Sequence, residues 1–296
     1  MSIDFSKSCK RKPHTPDARD WTWDGLRESV VEAGGVPQAP VPFGHGNTYE
    51  GQGWMMNGNG PALPGEDLPP AWTAAAGGAG DCVEASWVNE VKEALTDAGM
   101  SPIEALKKVG SGKTSISAYS AVTPYDPVTG ANDNGTEIRE RLKYAQKTGL
   151  TLADGTVHQI GPYFSVDPKN LQHWLEAMYF AEALPLGVNL QEAQQTAFNE
   201  GEQTGRFPII WDWVAGSPVI GGHCIPAVGR PDTLHIAAIT WARRIFLTEA
   251  FRQNGVEEVW AYVTQDRISK VTGRTYEGAD QAHLLEYLKA VATPQG

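Results

Sequence analysis

One cysteine closes a run of small residues and opens a helical pattern in GGAGDCVEASWVNEVKEAL, residues 77–95. A thiol in the first turn of a helix meets unpaired backbone N–H groups and the positive end of the helix dipole, and both favour the thiolate. That contribution is only about 0.3–1 kcal/mol, so it tunes a nucleophile without creating one. Taken alone, Cys82 reads either as a nucleophile or as a small buried core residue. A nucleophile needs a base, and His223 is the candidate among the seven histidines. Two glycines before it allow close approach of another chain segment, and the apolar, β-prone run HCIPAVGR at 223–230 would hold its ring rigidly. A thiol and an imidazole held together can perform acyl transfer.

Other chemistry is less well supported. GSGKTS at 110–115 imitates a phosphate loop, but the first glycine of that signature falls at Lys107. The stretch follows an amphipathic segment rather than a buried strand, so it reads as a flexible surface turn. The cysteines are Cys9, Cys82 and Cys224, a count of 3 with neither a disulfide framework nor zinc spacing. No metal or cofactor is expected. A net charge of −11 argues against a nucleic-acid footprint. No apolar run approaches the roughly 20 residues that span a bilayer, and the N-terminus lacks the apolar core of a signal peptide. The chain is therefore expected to need neither nucleic acid nor membrane. It should reside in the cytoplasm or in a particle assembled there, such as a virion.

The elements that must position these residues follow from periodicity. Val88, Val91 and Leu95 continue a helix from Cys82, and SPIEAL at 101–106 opens another. DNGTEIRERLKYAQKTGL at 133–150 predicts a helix capped by Thr136, striped by Ile138, Leu142 and Ala145, and ended by Gly149. HQIGPYFSV at 158–166 alternates like a strand, residues 168–182 read as a helix starting at Pro168, and PLGVNL at 185–190 reads as a buried strand. HCIPAVGR and LHIAAITW at 234–241 suggest an antiparallel pair across RPDT. LTEAFRQNG and AHLLEYLKAVA close the chain as helices. Helices first and strands later give an α+β class. Residues 1–67 are rich in Gly, Pro and Asn, yet their Trp and Met residues (Trp54, Met55 and Met56 among them) predict an arm packed on the domain or on a partner.

Several of these stretches, taken in order, resemble bacterial and phage members of the papain-like cysteine peptidase superfamily. PDARDW at 16–21, LPPAW at 68–72 and GDCVEASWVNEV lie in the first third, the helix at 133–150 follows, and GGHCIPAVGR comes late. His223 follows Cys82 by 141 residues, inside the span of about 130–150 of papain-type enzymes. The resemblance implies a two-lobed fold, with a helical lobe at about 68–184, a β-rich lobe at about 185–263 and a C-terminal helix at about 278–292. It implies Cys82 as nucleophile, His223 as general base and acid, and a peptide or protein substrate. Cys224 stands where the family has alanine and is expected to be a core residue facing away from His223.

Two departures stand out. The glutamine that donates to the oxyanion in this family lies six residues before the cysteine, where this chain has Ala76. The asparagine that orients the histidine falls at Ile239, with Thr240 and Trp241 matching the next two positions. Thr240 is the candidate substitute partner for the histidine, and Gln52 or Asn57 of the arm for the missing donor. Asp81, next to the thiol, should raise its pKa. Trp241 is expected to shield the histidine, Trp211 to fill core, His158 and His235 to be structural, and Glu249, Glu257 and Glu258 to form a solvated helix face. Two function classes result: a cysteine peptidase or amidase, and a non-catalytic papain-fold binding or structural protein, such as a phage virion component docked through residues 1–67.

Overall fold

A computed structural model of the chain describes residues 9–18, 20–32, 79–97, 100–110, 112–181, 183–241 and 243–264. Helix α1 (Trp23–Glu32) is followed by α2 (Cys82–Asp97), α3 (Pro102–Val109), α4 (Gly112–Val122) and α5 (Ile138–Lys147). A short hairpin, β1 (Leu150–Thr151) and β2 (Val157–His158), leads to β3 (Ile160–Val166), α6 (Leu171–Ala181), β4 (Leu184–Gln191) and α7 (Glu192–Thr204). Then come β5 (Ile209–Trp211), β6 (Val219–Gly229), β7 (Ile236–Thr240), β8 (Arg243–Leu247), α8 (Glu249–Gly255) and β9 (Val256–Thr264). Seven strands form one sheet in the order β3-β9-β4-β6-β7-β8-β5. The sheet is mixed: β5 runs parallel to β8, and the other pairs are antiparallel. Among the described residues no helix is long and apolar enough to cross a membrane.

Local chemistry explains the helix limits. Ser101 and Glu104 form a reciprocal capping box at α3, and Thr248 accepts from the Phe251 N–H at the start of α8. Helix α5 buries Ile138, Leu142 and Ala145 as its spacing requires. Its cap is Glu137, without a side-chain bond, rather than the expected Thr136, whose carbonyl accepts from the Lys12 N–H. Gly149 ends it at φ +88°, and a Cβ there would stand 2.8 Å from the His158 carbonyl. Helix α6 begins at Leu171, with Pro168 in the turn before it.

Both faces of the sheet are covered, and the pleat sorts side chains between two cores. Along β9, Val259, Ala261 and Val263 enter one core with Leu186, Val188, Ile225 and Trp174. Trp260 and Tyr262 enter the other with Cys82, Val88, Val91 and Leu142. Each fully buried Val, Leu or Phe contributes about 1.5–3 kcal/mol by leaving water. Strands β6 and β7 pair as their sequence suggests, with Ala227 opposite Ala238.

Several expectations are corrected. GSGKTS is not a surface turn: Gly112 starts α4, and Thr114 and Ser115 are buried. Residues 23–32 of the expected irregular arm are helical, because Trp23 and Leu26 have a core to enter. Glu257 and Glu258 lie on β9, not on a helix face, and Glu258 is buried. The arm's Trp54, Met55 and Met56, the LPPAW segment and the helix expected at 278–292 lie outside the described residues.

The segment Cys9–His14 forms a strap across the start of β6. Lys10 bridges to Gly222, the Arg11 N–H donates to the Gly222 carbonyl at 3.0 Å, and the Lys12 N–H donates to Thr136 at 3.0 Å. The Arg11 guanidinium is buried and donates to Glu258 at 2.6 Å and to Glu257 at 2.5 Å. The two glycines before His223 are required by this crossing: a Cβ on Gly221 would stand 3.0 Å from the Cys9 carbonyl, and one on Gly222 would stand 2.8 Å from that of Arg11. Gly222→Ala is therefore expected to cost about 1–3 kcal/mol by overpacking. Urea denaturation should show that loss, and trypsin should cut faster after Lys10 and Arg11; an unchanged midpoint and cutting rate would refute the tight crossing.

Candidate functional site

Cys82 is the first residue of α2, and the loop before it is fixed from three directions. The Ser115 hydroxyl of α4 donates to the buried Asp81 carboxylate. The Gly80 N–H donates to Asp133 at 2.8 Å, and the same carboxylate receives the Tyr119 hydroxyl at 2.9 Å and the Lys10 ammonium at 2.6 Å. Serine 115 of the false phosphate loop thus serves as an anchor for the cysteine's own loop.

Farther along α2, one buried ion pair sets the helix against its neighbours. Arg141 of α5, fully buried, donates to Glu90 at 3.0 and 3.2 Å, and Tyr262 of β9 donates to the same carboxylate at 2.5 Å. Ser86 donates to Glu90 at 2.6 Å. The guanidinium lies 5.6 Å from the ring centroids of both Trp87 and Tyr262.

These constraints bring the sequence-derived candidates into one place. Cys82, His223 and Thr240 line a single cavity together with Cys224, Trp241, Ala85, Ser86 and Asn89. His223 projects from β6, and its Nε2 lies 2.9 Å from Thr240 Oγ1 at the end of β7. The Trp241 ring stacks on the imidazole, with centroids 4.4 Å apart and planes 7° apart. Trp241 sits at φ +44° in the tight turn between β7 and β8, a conformation that bulky residues rarely adopt. The strain is offset by its ring's contacts with His223, Phe198 and Trp211. Among the described residues His223 Nδ1 has no hydrogen-bond partner.

Sequence reasoning passed over Ser86 and Asn89, although i+4 and i+7 from Cys82 place them on its helix face. Cys224 does join a core as expected, but it is the core that holds Cys82, so the residue is part of the cavity wall. Trp211 is fully buried, His158 is buried, and His235 is bonded to Asp232 at 2.9 Å. Ala76, Gln52 and Asn57 lie outside the described residues.

The cavity is small and its two candidate groups are shielded from solvent. Its volume of about 10 Å³ is that of roughly one water, and Cys82 and His223 are 1% and 3% exposed. Burial pushes the Cys82 thiol up to about 12, helped by Glu84 and Asp81 and opposed by the Cys224 N–H and by Arg11. Burial, with the charge of Arg11, pulls His223 down to about 3. Both groups are therefore neutral at pH 7 in this conformation. Glu84, fully buried near Asp81, is raised by burial to about 8. No group of three or more metal-ligating side chains occurs among the described residues.

Two solved structures share this architecture. Xylellain, a cysteine protease from Xylella fastidiosa, matches over 87% of this chain and 96% of its own, at 12% identity and a TM-score of 0.56. Procathepsin B S9 from Trypanosoma congolense matches over 89% and 85%, at 9% identity and a TM-score of 0.50. No family model and no curated protein matches the chain. The likeness is one of fold: an α+β chain with a helical region and a mixed sheet, arranged overall as in these two proteins.

The shifted groups predict opposing pH slopes in stability. Below its ordinary pKa of about 6.5 the unfolded chain protonates His223, whereas the folded chain refuses that proton down to about 3. Stability contributed by neutral His223 is thus lost as pH falls through that window. Relative to His223→Gln, the native chain should lose up to about 1.4 kcal/mol per pH unit between pH 6 and 4. Glu84 has the opposite sign: its contribution is full below about 4.5 and lost as pH rises through about 8. Glu84→Gln should therefore gain on the native chain toward pH 8. Urea titrations across pH test both, and parallel curves for all three proteins would refute the burial argument.

Proposed function

We propose that the protein is a cysteine hydrolase of papain-like mechanism acting on peptide or related amide bonds. Cys82 is its nucleophile, His223 its general base and acid, and Thr240 a positioning residue. The observation that carries this reading is convergence: a helix start, a central strand and a hairpin end bring Cys82, His223, Thr240 and Trp241 to one cavity. It gains support from a fold shared with a cysteine protease. On this reading the cavity lies between a helical lobe, residues 68–184, and a β-rich lobe beginning at residue 185.

The chemistry follows from the atoms present. With Nε2 engaged by Thr240 and the ring stacked on Trp241, Nδ1 is the nitrogen available to exchange a proton with the thiol. The thiolate attacks the carbonyl carbon, and the first-turn N–H of Cys82 donates to the oxyanion. The imidazolium protonates the leaving amine, and water then cleaves the thioester. Forming the ion pair inside the closed cavity moves a proton from a group near 12 to one near 3. That is uphill by on the order of 10 kcal/mol before the attraction between the two charges is counted. Turnover therefore includes an opening that hydrates both groups, since burial is the main cause of each shift.

The second reading, a papain fold kept for binding through the arm at residues 1–67 without turnover, is favoured by this closure. The two are separated by hydrolysis of a fluorogenic peptide mixture together with alkylation of Cys82 across pH. The hydrolase reading expects no activity in Cys82→Ala and a kcat at least about 10²-fold lower in His223→Ala. It expects Thr240→Val to lower kcat more than it changes KM and to move the acid limb of the pH profile. Activity that survives Cys82→Ala would overturn it. So would an inert chain whose Cys82 alkylation shows no His223-dependent step, and that result would favour the binding protein.

A further inference from the structure

Cys224 is the residue after the candidate base, and the mechanism above gives its thiol no task. Strand alternation turns it toward α2 rather than toward the sheet's other face, so it enters the core cluster of Cys82 and lines the same small cavity. Its backbone N–H faces the Cys82 sulfur and helps to hold that thiol's pKa down, so the two residues meet across the same small cavity. A disulfide requires a close approach of this kind. The Cys224 thiol lies beside the Ser86 hydroxyl and within the field of the buried Arg141 guanidinium. Neither cysteine is in a disulfide. Cys9 cannot substitute for either, because it packs against Gly221 in the opposite core.

We propose that Cys82 and Cys224 form a reversible redox pair, which a hydroperoxide oxidises to a disulfide that shuts the site. The Cys82 thiolate attacks the distal peroxide oxygen; the O–O bond breaks, giving Cys82 sulfenic acid and an alkoxide or hydroxide that takes up a proton. The Cys224 sulfur then attacks the Cys82 sulfur; the S–O bond breaks, and the departing hydroxide leaves as water with the Cys224 proton. Two thiols supply the two electrons that reduce the peroxide. A small dithiol restores both cysteines by exchange. The adjacent partner traps the sulfenic acid before it reaches the irreversible sulfinic state. Disulfide formation rests on geometry alone, whereas its consequence for turnover rests on Cys82 being the nucleophile.

The test treats the full chain with a small excess of hydrogen peroxide, blocks remaining thiols with iodoacetamide and maps the peptides by mass. The expected product is a Cys82–Cys224 cross-linked peptide, alkylated Cys9, and full recovery of both thiols with dithiothreitol. Cys224→Ala should instead carry sulfenic acid at Cys82, trapped by dimedone, that proceeds to sulfinic acid and is not recovered. A second arm equilibrates the chain with oxidised glutathione over a time long enough for the site to open repeatedly, so that the stability of the disulfide rather than its rate of formation is read, and the same cross-link should form. Cys82 reaching sulfinic acid in the native chain while Cys224 stays alkylatable would overturn the proposal. So would two reduced thiols after glutathione equilibration. A chain that forms the cross-link yet hydrolyses no peptide would retain the redox pair and lose the hydrolase reading.

Discussion

A buried arginine and its carboxylate partner hold the cysteine's helix in place. Arg141 reaches from α5 to Glu90 of α2, and Tyr262 of β9 closes on the same carboxylate. An ion pair this deep is weak evidence for net stability, since desolvation consumes most of the attraction. Its value is geometric. With Arg141, Glu90 and Tyr262 satisfying one another, α2 is held at the rotation and height that keep this carboxylate paired. At that setting its first residue meets β6 at His223 and Cys224. Breaking the network from one side would strand a charge in the core, so α2 and the sheet stay in register or come apart together.

The same burial that fixes the geometry silences the chemistry. Low polarity around Cys82 and His223 keeps the proton on sulfur and off the ring, and the acidic pair Asp81 and Glu84 reinforces this at the thiol. A helix N-terminus and a nearby imidazole favour a thiolate only where water or a substrate supplies some polarity. Positioning and activation are therefore separate properties of this site. The first is built into the fold, and the second depends on a change of environment.

How legible this was depends on the range of the interactions involved. Cys82 at a helix start, His223 on a strand behind two glycines and the β6–β7 pairing are local patterns, and they appear where the sequence places them. The mixed sheet was not legible, because nothing in IIW at 209–211 announces a parallel partner far along the chain. Glu258 reads as a surface residue until Arg11 is seen beside it. GSGKTS looks like a turn by composition, and becomes a helix because Thr114 and Ser115 find buried partners at Val109 and Asp81. Cys224 was read correctly as core, but only the packing of α2 on β6 reveals which core. The role of the glycine pair was foreseen as close approach, while the approaching segment was not.

The strap has a consequence for how this chain is made. Arg11 and Glu258, joined at 2.6 Å, are separated by 247 positions. During synthesis, Arg11 emerges long before its partner and must wait for it. Strand β9, inserted between β3 and β4, is equally late and completes the centre of the sheet. Neither the strap nor the middle of the sheet can therefore mature until β9 has been made, and both belong to the late stages of folding. The glycines before His223 keep the strap's berth vacant throughout that delay, at the cost of two positions in β6 with no side chains to pack.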